Sequence, residues 1–65
     1  MASIKHQLIK KLRKEKKLTQ GDIADKVGIA RSYYTRIELG DVEPSITTLK
    51  RIASVLNANV TDFIQ

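Results

Sequence analysis

Apolar residues recur along this chain at intervals of three and four, the period of a helix buried along one side, and no stretch alternates as a half-buried strand does. From Ile4 to about Lys16, Leu8, Ile9 and Leu12 share one face, with Ser3 in the N-cap position. A second helix begins at Gln20 behind Thr19 as its cap and buries Ile23, Ala24 and Val27. Gly28 follows the last of these, where a left-handed residue ends a helix without a Cβ penalty. Ile29 fills the turn, and a third helix carries Tyr34 and Ile37 three residues apart on its inner face. Ala24 stands where these two axes cross most closely, so its small side chain lets the backbones approach. Asp41 to Pro44 reads as a loop, and Ser45 caps a fourth helix whose stripe is Ile46, Leu49, Ile52, Ala53 and Leu56. Asn57 ends it in the left-handed conformation. Asn59 and Asp62 form a capping box for a last helical turn carrying Val60, Phe63 and Ile64. The pattern predicts an all-α, compact five-helix bundle occupying residues 1–65 as a single domain, without repeat, low-complexity tract or linker.

The outward residues of the third helix are of a different kind. Arg31, Ser32, Tyr33, Thr35 and Arg36 face away from the expected core as a row of donors and acceptors. An arginine fork spans the O6 and N7 acceptors of guanine, a contact that discriminates by about 1–3 kcal/mol, so Arg31 and Arg36 are the candidates for specificity. The unpaired N–H groups of a helix's first turn favour an anion, which makes Thr19 and Gln20 a phosphate seat.

Composition narrows the classes. Sixty-five residues make one domain that buries only about 60% of its unfolded surface, so the stability margin is modest. With no cysteine, neither a disulfide framework nor a thiolate zinc site is available. No apolar run approaches the roughly 20 residues of a membrane span, and Lys5, Lys10 and Lys11 interrupt any signal-peptide core. A soluble, cytoplasmic protein is expected. The net charge of +5 and pI near 9.8 favour a polyanionic partner, although much of the excess lies in Lys10, Lys11, Arg13, Lys14, Lys16 and Lys17, read as a solvated face. His6, the single histidine, reads as a solvated helix residue, and no metal site is expected. Glu15, Asp22 and Asp25 lack a nucleophile, a histidine partner and an apolar pocket, so no enzyme is expected. Tyr34 is expected in the core with its hydroxyl at the rim.

The ordered set Gln20, Ala24, Gly28, Tyr34, Ile37, Glu38 and Gly40 resembles the helix-turn-helix domain of the lambdoid phage repressor and Cro family, also called the Xre family, over essentially the whole chain. The resemblance implies a lambda-repressor-like fold with a helix-turn-helix unit at about residues 20–38. It implies base reading by Arg31, Ser32 and Arg36, with Thr35 and Tyr33 touching base rims or phosphate and Thr19 touching phosphate. Gln20 matches a position that bonds phosphate and braces the first residue of the recognition helix, here Arg31. Arg13 and Glu38 match a partly buried ion pair tying the first helix to the recognition helix. Three departures stand out. Lys17 replaces a frequent glycine, at a cost of roughly 1 kcal/mol if left-handed. Gly21 lies inside a helix at a similar cost. Asp41 and Glu43 make acidic a loop that is basic in several relatives, leaving phosphate contact there to backbone N–H groups near Ser45.

The function implied is that of a sequence-specific regulator of transcription, bacterial or phage-encoded and nucleoid-associated, most often a repressor, without cofactor or small-molecule ligand. One recognition helix reads only a few base pairs, so a homodimer on a palindromic operator is expected, with recognition helices about 34 Å apart. Val60 and Ile64, at the edge of the fifth helix, are the expected dimer interface. The alternative is an antitoxin or adaptor that uses the same fold to hold a protein partner. Ending one turn into its fifth helix, the chain reads either as a complete small regulator or as the DNA-binding part of a longer one.

Overall fold

The computed structural model describes residues 4–65. Within them lie four α-helices, α1 (His6–Glu15), α2 (Gln20–Val27), α3 (Arg31–Leu39) and α4 (Ile46–Val55), followed by a 3₁₀ turn, Val60–Phe63. The caps explain most of these limits. Thr19 opens α2: its hydroxyl accepts from the Asp22 amide at 3.0 Å while its own amide donates to the Asp22 carboxylate at 2.9 Å. Such reciprocal bonds satisfy two donors that helix geometry leaves unpaired. Gly28 closes α2 at φ +87°, and the amides of Gly28 and Ile29 both donate to the Ala24 carbonyl, at 2.8 and 3.0 Å. Gly40 closes α3 in the same left-handed conformation. Lys17 and Asn57 also have positive φ, 59° and 56°, so two of the chain's turns use side-chain-bearing residues where glycine is cheapest.

Two expected elements differ. α1 starts at His6 behind Lys5, whose side chain makes no cap bond; the expected cap, Ser3, lies outside the described residues. The fifth helix is absent, and its place is taken by the 3₁₀ turn. Asn59 still donates its amide to Asp62 at 3.1 Å, but the turn stops at Phe63 because Ile64 is extended, at φ −108° and ψ 128°. Ile64 pairs across an isolated antiparallel bridge with Ile4, and the Lys5 amide donates to the Phe63 carbonyl at 2.7 Å. The two ends of the described chain hold each other, and that pairing takes the backbone needed for another helical turn.

α3 packs against both α1 and α2, α4 against α2, and the 3₁₀ turn against α1 and α4. Their shared core is centred on Ile9, Ile23, Tyr34, Ile37, Ile52 and Phe63, all essentially without solvent exposure. Ala24 is also buried, as the close crossing of α2 and α3 requires. Ile46 departs from the expected stripe and is 53% exposed. As the first residue of α4 it lies one turn before the packed row that starts at Leu49.

Candidate nucleic-acid interface

The surface of interest is built on a buried carboxylate. Glu38, near the end of α3, accepts from Arg13 Nε at 2.6 Å and Arg13 Nη2 at 3.2 Å, from Gln20 Nε2 at 3.1 Å, and from the Tyr34 hydroxyl. Arg13 spends its remaining arm on the Leu18 carbonyl at 2.8 Å. One acidic side chain thus fastens α3 to α1 and to the start of α2. Burial pushes the Glu38 carboxyl up, but the hydrogen bonds from Arg13, Tyr34 and Gln20 outweigh it and hold the group below its ordinary value. The hydrogen bond to Glu38 raises Arg13. Burial, then Glu38, raises Tyr34, so its hydroxyl keeps its proton and donates.

This network alters two expectations. Gln20 donates to Glu38 and accepts from the Thr35 hydroxyl at 2.8 Å, so its amide braces the middle of α3 instead of Arg31. Tyr34 is fully buried with its hydroxyl on Glu38, not at the rim. Glutamate at 38 and glutamine at 20 were both legible as family positions, but their direct contact required the two helices to be docked. Arg31 takes its place by another means: a Cβ added to Gly21 would meet Arg31 Cδ at 3.9 Å and Thr19 Oγ1 at 3.8 Å. The arginine stem therefore passes over the first turn of α2, beside Thr19.

On the outer side of α3, Arg31, Ser32 and Arg36 are exposed, and Tyr33 and Thr35 are half-buried. Ser32, Thr35, Arg36 and Leu39 follow the three- and four-residue spacing of one helical face. The Thr35 hydroxyl proton is committed to Gln20, which leaves its oxygen lone pairs to accept. Leu39, absent from the candidate residues, is 64% exposed at the end of the same face. Its place on the polar side of α3 was the signal that could have found it.

The flanking sites are mixed. At the start of α2 the Thr19 amide is used by Asp22, so an anion there would meet the amides of Gln20 and Gly21, the first of the helix. The exposed Asp22 carboxyl is held below its usual range chiefly by the hydrogen bond from the Thr19 amide, and its charge competes with a phosphate. Ser45 is exposed, its hydroxyl accepting from the Thr48 amide and donating to the Thr48 hydroxyl, each at 3.1 Å. Val60 and Ile64 are both half-buried, Ile64 against Ile4. His6 is not a freely solvated residue: its ring lies so close to Gly40 that a Cβ there would fall 2.9 Å from His6 Cε1. Among the described residues, no group of histidine, cysteine and carboxylate side chains is arranged to hold a metal, and no helix is long and apolar enough to cross a membrane.

A family model described as helix-turn-helix matches residues 9–63, and the chain belongs to that family. The uncharacterized HTH-type transcriptional regulator YqaE of Bacillus subtilis (strain 168) is 50% identical over 52 residues, which cover 80% of this chain and 45% of the relative. The immunity repressor protein of Bacillus phage phi105 is 41% identical over 58 residues, covering 89% of this chain and 40% of that protein. The crystal structure of the master regulator for biofilm formation SinR in complex with DNA superposes with a TM-score of 0.80 at 38% identity, covering 86% of this chain and 90% of that one. The chain spans about half the length of the curated relatives it matches.

Proposed function

We propose that this domain binds duplex DNA in a sequence-dependent way and regulates transcription, with α3 as the recognition helix. The observation that carries the reading is the exposed row Arg31, Ser32 and Arg36 on a helix whose opposite face is locked by Glu38 to α1 and α2. A rigid rod with donors along one side suits a major groove, where each base pair presents its own pattern of acceptors and donors. Arg31, Ser32 and Arg36 read base edges, and Thr35 offers its oxygen at the rim. Thr19, Gln20, Tyr33 and Ser45 position the duplex through phosphate. The Arg13 and Glu38 pair sets the pitch of α3 and does not touch DNA.

Repression fits the phage immunity repressor among the relatives, and a homodimer on a palindromic operator is the arrangement that gives one short recognition helix enough base pairs to read. The partly covered pair Val60 and Ile64 is the proposed contact between copies, and the cytoplasm, at the nucleoid, is the compartment this function requires. Selection of bound sites from a random duplex library tests the whole reading. A consensus with two inverted half-sites is expected. Binding that enriches no sequence, or affinity that stays flat as salt rises from about 50 to about 200 mM, would overturn it.

A further inference from the structure

The chain's positive charge does not lie where the proposed recognition helix lies. Seven of the twelve lysines and arginines and only one of the seven acidic residues fall in the first seventeen positions, which carry a net +6, while the other forty-eight residues carry −1. A DNA-reading unit with that remainder attracts phosphate poorly by itself, because electrostatic affinity follows the number of phosphates its cations meet. The attraction has to come from α1 and the residues that flank it.

α1 places part of this charge beside α3. Positions 6, 10 and 13 follow the four-three spacing of one helical row within α1. Two of the three meet α3 or its C-cap: the His6 ring lies against Gly40 and Arg13 pairs with Glu38. Lys10, between them, therefore stands on the edge of α1 that borders α3, with Lys14 one step outward. Lys17 lies beyond the end of α1, at φ 59° and two residues before Thr19. All three lysines are exposed, and among the described residues the ion pair formed is Arg13 with Glu38, leaving these ammonium groups without a carboxylate in contact. A solvated face would give them no purpose beyond solubility. Favourable interaction with the helix C-terminus accounts for Lys14 but not for Lys10, and like charges four apart, as at 10 and 14, work against the helix.

We propose that Lys10, Lys14 and Lys17 form a phosphate rail, holding the backbone of the duplex beyond the base pairs that α3 reads. This rests on the reading of α3 as a DNA-reading helix and assigns it the affinity that α3 and its neighbours lack. Lys10 on α1 and Lys17 in the turn before α2 lie between the C-terminus of α3 and the start of α2, so a backbone held by them continues into the seat at Thr19 and Gln20.

The test compares the protein with a Lys10→Gln, Lys14→Gln, Lys17→Gln variant and with a Lys26→Gln, Lys50→Gln control, by fluorescence anisotropy on a selected site with flanks and on its scrambled counterpart. Glutamine keeps helix propensity, and circular dichroism checks folding. Losing three phosphate contacts lowers the salt slope by about 2.7, so between about 50 and about 200 mM salt the variant loses roughly 40-fold less affinity than the parent. Its preference for the selected site over the scrambled one stays unchanged. A slope that does not move, or a control that lowers it as much per lysine, overturns the rail while leaving base reading intact. A parent protein without site preference overturns the rail together with the reading beneath it.

Discussion

Replacing Glu38 by alanine removes the acceptor on which four donor groups from three side chains converge. Arg13, only 8% exposed, is left with a buried positive charge whose single retained bond is to the Leu18 carbonyl. The Tyr34 hydroxyl loses its partner in the middle of the core, and Gln20 loses one of its two anchors on α3. Breaking a buried pair by deleting one member costs about 3–5 kcal/mol, because an uncompensated charge stays behind. A domain of this length is stable by roughly 3–10 kcal/mol in all. Since 1 kcal/mol moves the midpoint of a small domain by about 4–8 °C, Glu38→Ala is expected to lower Tm by at least about 12 °C, read by circular dichroism at neutral pH. The companion variant, Arg13→Met with Tyr34→Phe and Glu38→Leu, removes the buried charge and the buried hydroxyl together, leaving only the half-buried Gln20 amide and Leu18 carbonyl to find water, and is expected to recover most of that loss. A Glu38→Ala protein melting within about 2 °C of the parent, with DNA affinity lost, would refute the argument and move Glu38 from architecture to the interface.

The remaining expectations address the same elements. Because Glu38 is held below its ordinary carboxyl value in the fold, its contribution to stability is complete above that ordinary range and disappears as pH falls through the lower folded value; acid titration of Tm should show this loss, and Glu38→Gln should flatten it. Gly28→Ala meets no atom within 4 Å but must adopt φ +87°, so a cost of about 1–2 kcal/mol from backbone alone is expected in urea melts. Thr19→Ala breaks the α2 capping box and should cost about 0.5–2 kcal/mol, which the same melts measure. Arg31→Ala should relax preference at one operator position by about 1–3 kcal/mol, while Gln20→Ala weakens binding to all sequences more evenly; equal losses everywhere for both, in competition binding, would remove the base-reading role.

What the chain disclosed in advance was mostly local. The left-handed Gly28 and Asn57 followed from residues whose conformational preferences act over one turn, as did the Thr19 and Ser45 caps, and the buried Ala24 followed from the close crossing that a glycine turn imposes. Lys17 was marked by standing where a glycine is frequent. What stayed hidden was contact between distant segments. The bridge from Ile4 to Ile64 converts an expected helix into a 3₁₀ turn, and no helical periodicity reveals that a terminal isoleucine will pair across the fold. Ile46 carries the same spacing as the packed stripe, yet lies one turn beyond anything that could cover it. The His6 ring over Gly40, and both ends of the Gln20 amide on Thr35 and Glu38, are likewise consequences of docking. The outward row of α3 was legible because exposure follows from the helix alone; which of its members are already engaged was not.

The claim at the centre is that a guanidinium on α3 touches a base edge, and atomic replacement in the DNA tests it most directly. Each guanine of a selected site is exchanged, one at a time, for 7-deazaguanine, which lacks the N7 acceptor, and affinities are measured for the parent and for Arg31→Ala. Loss of binding at one guanine by the parent, with Arg31→Ala indifferent to the same exchange, is the predicted result. A parent protein insensitive to every exchange, or an Arg31→Ala variant that responds just as the parent does, would contradict the account.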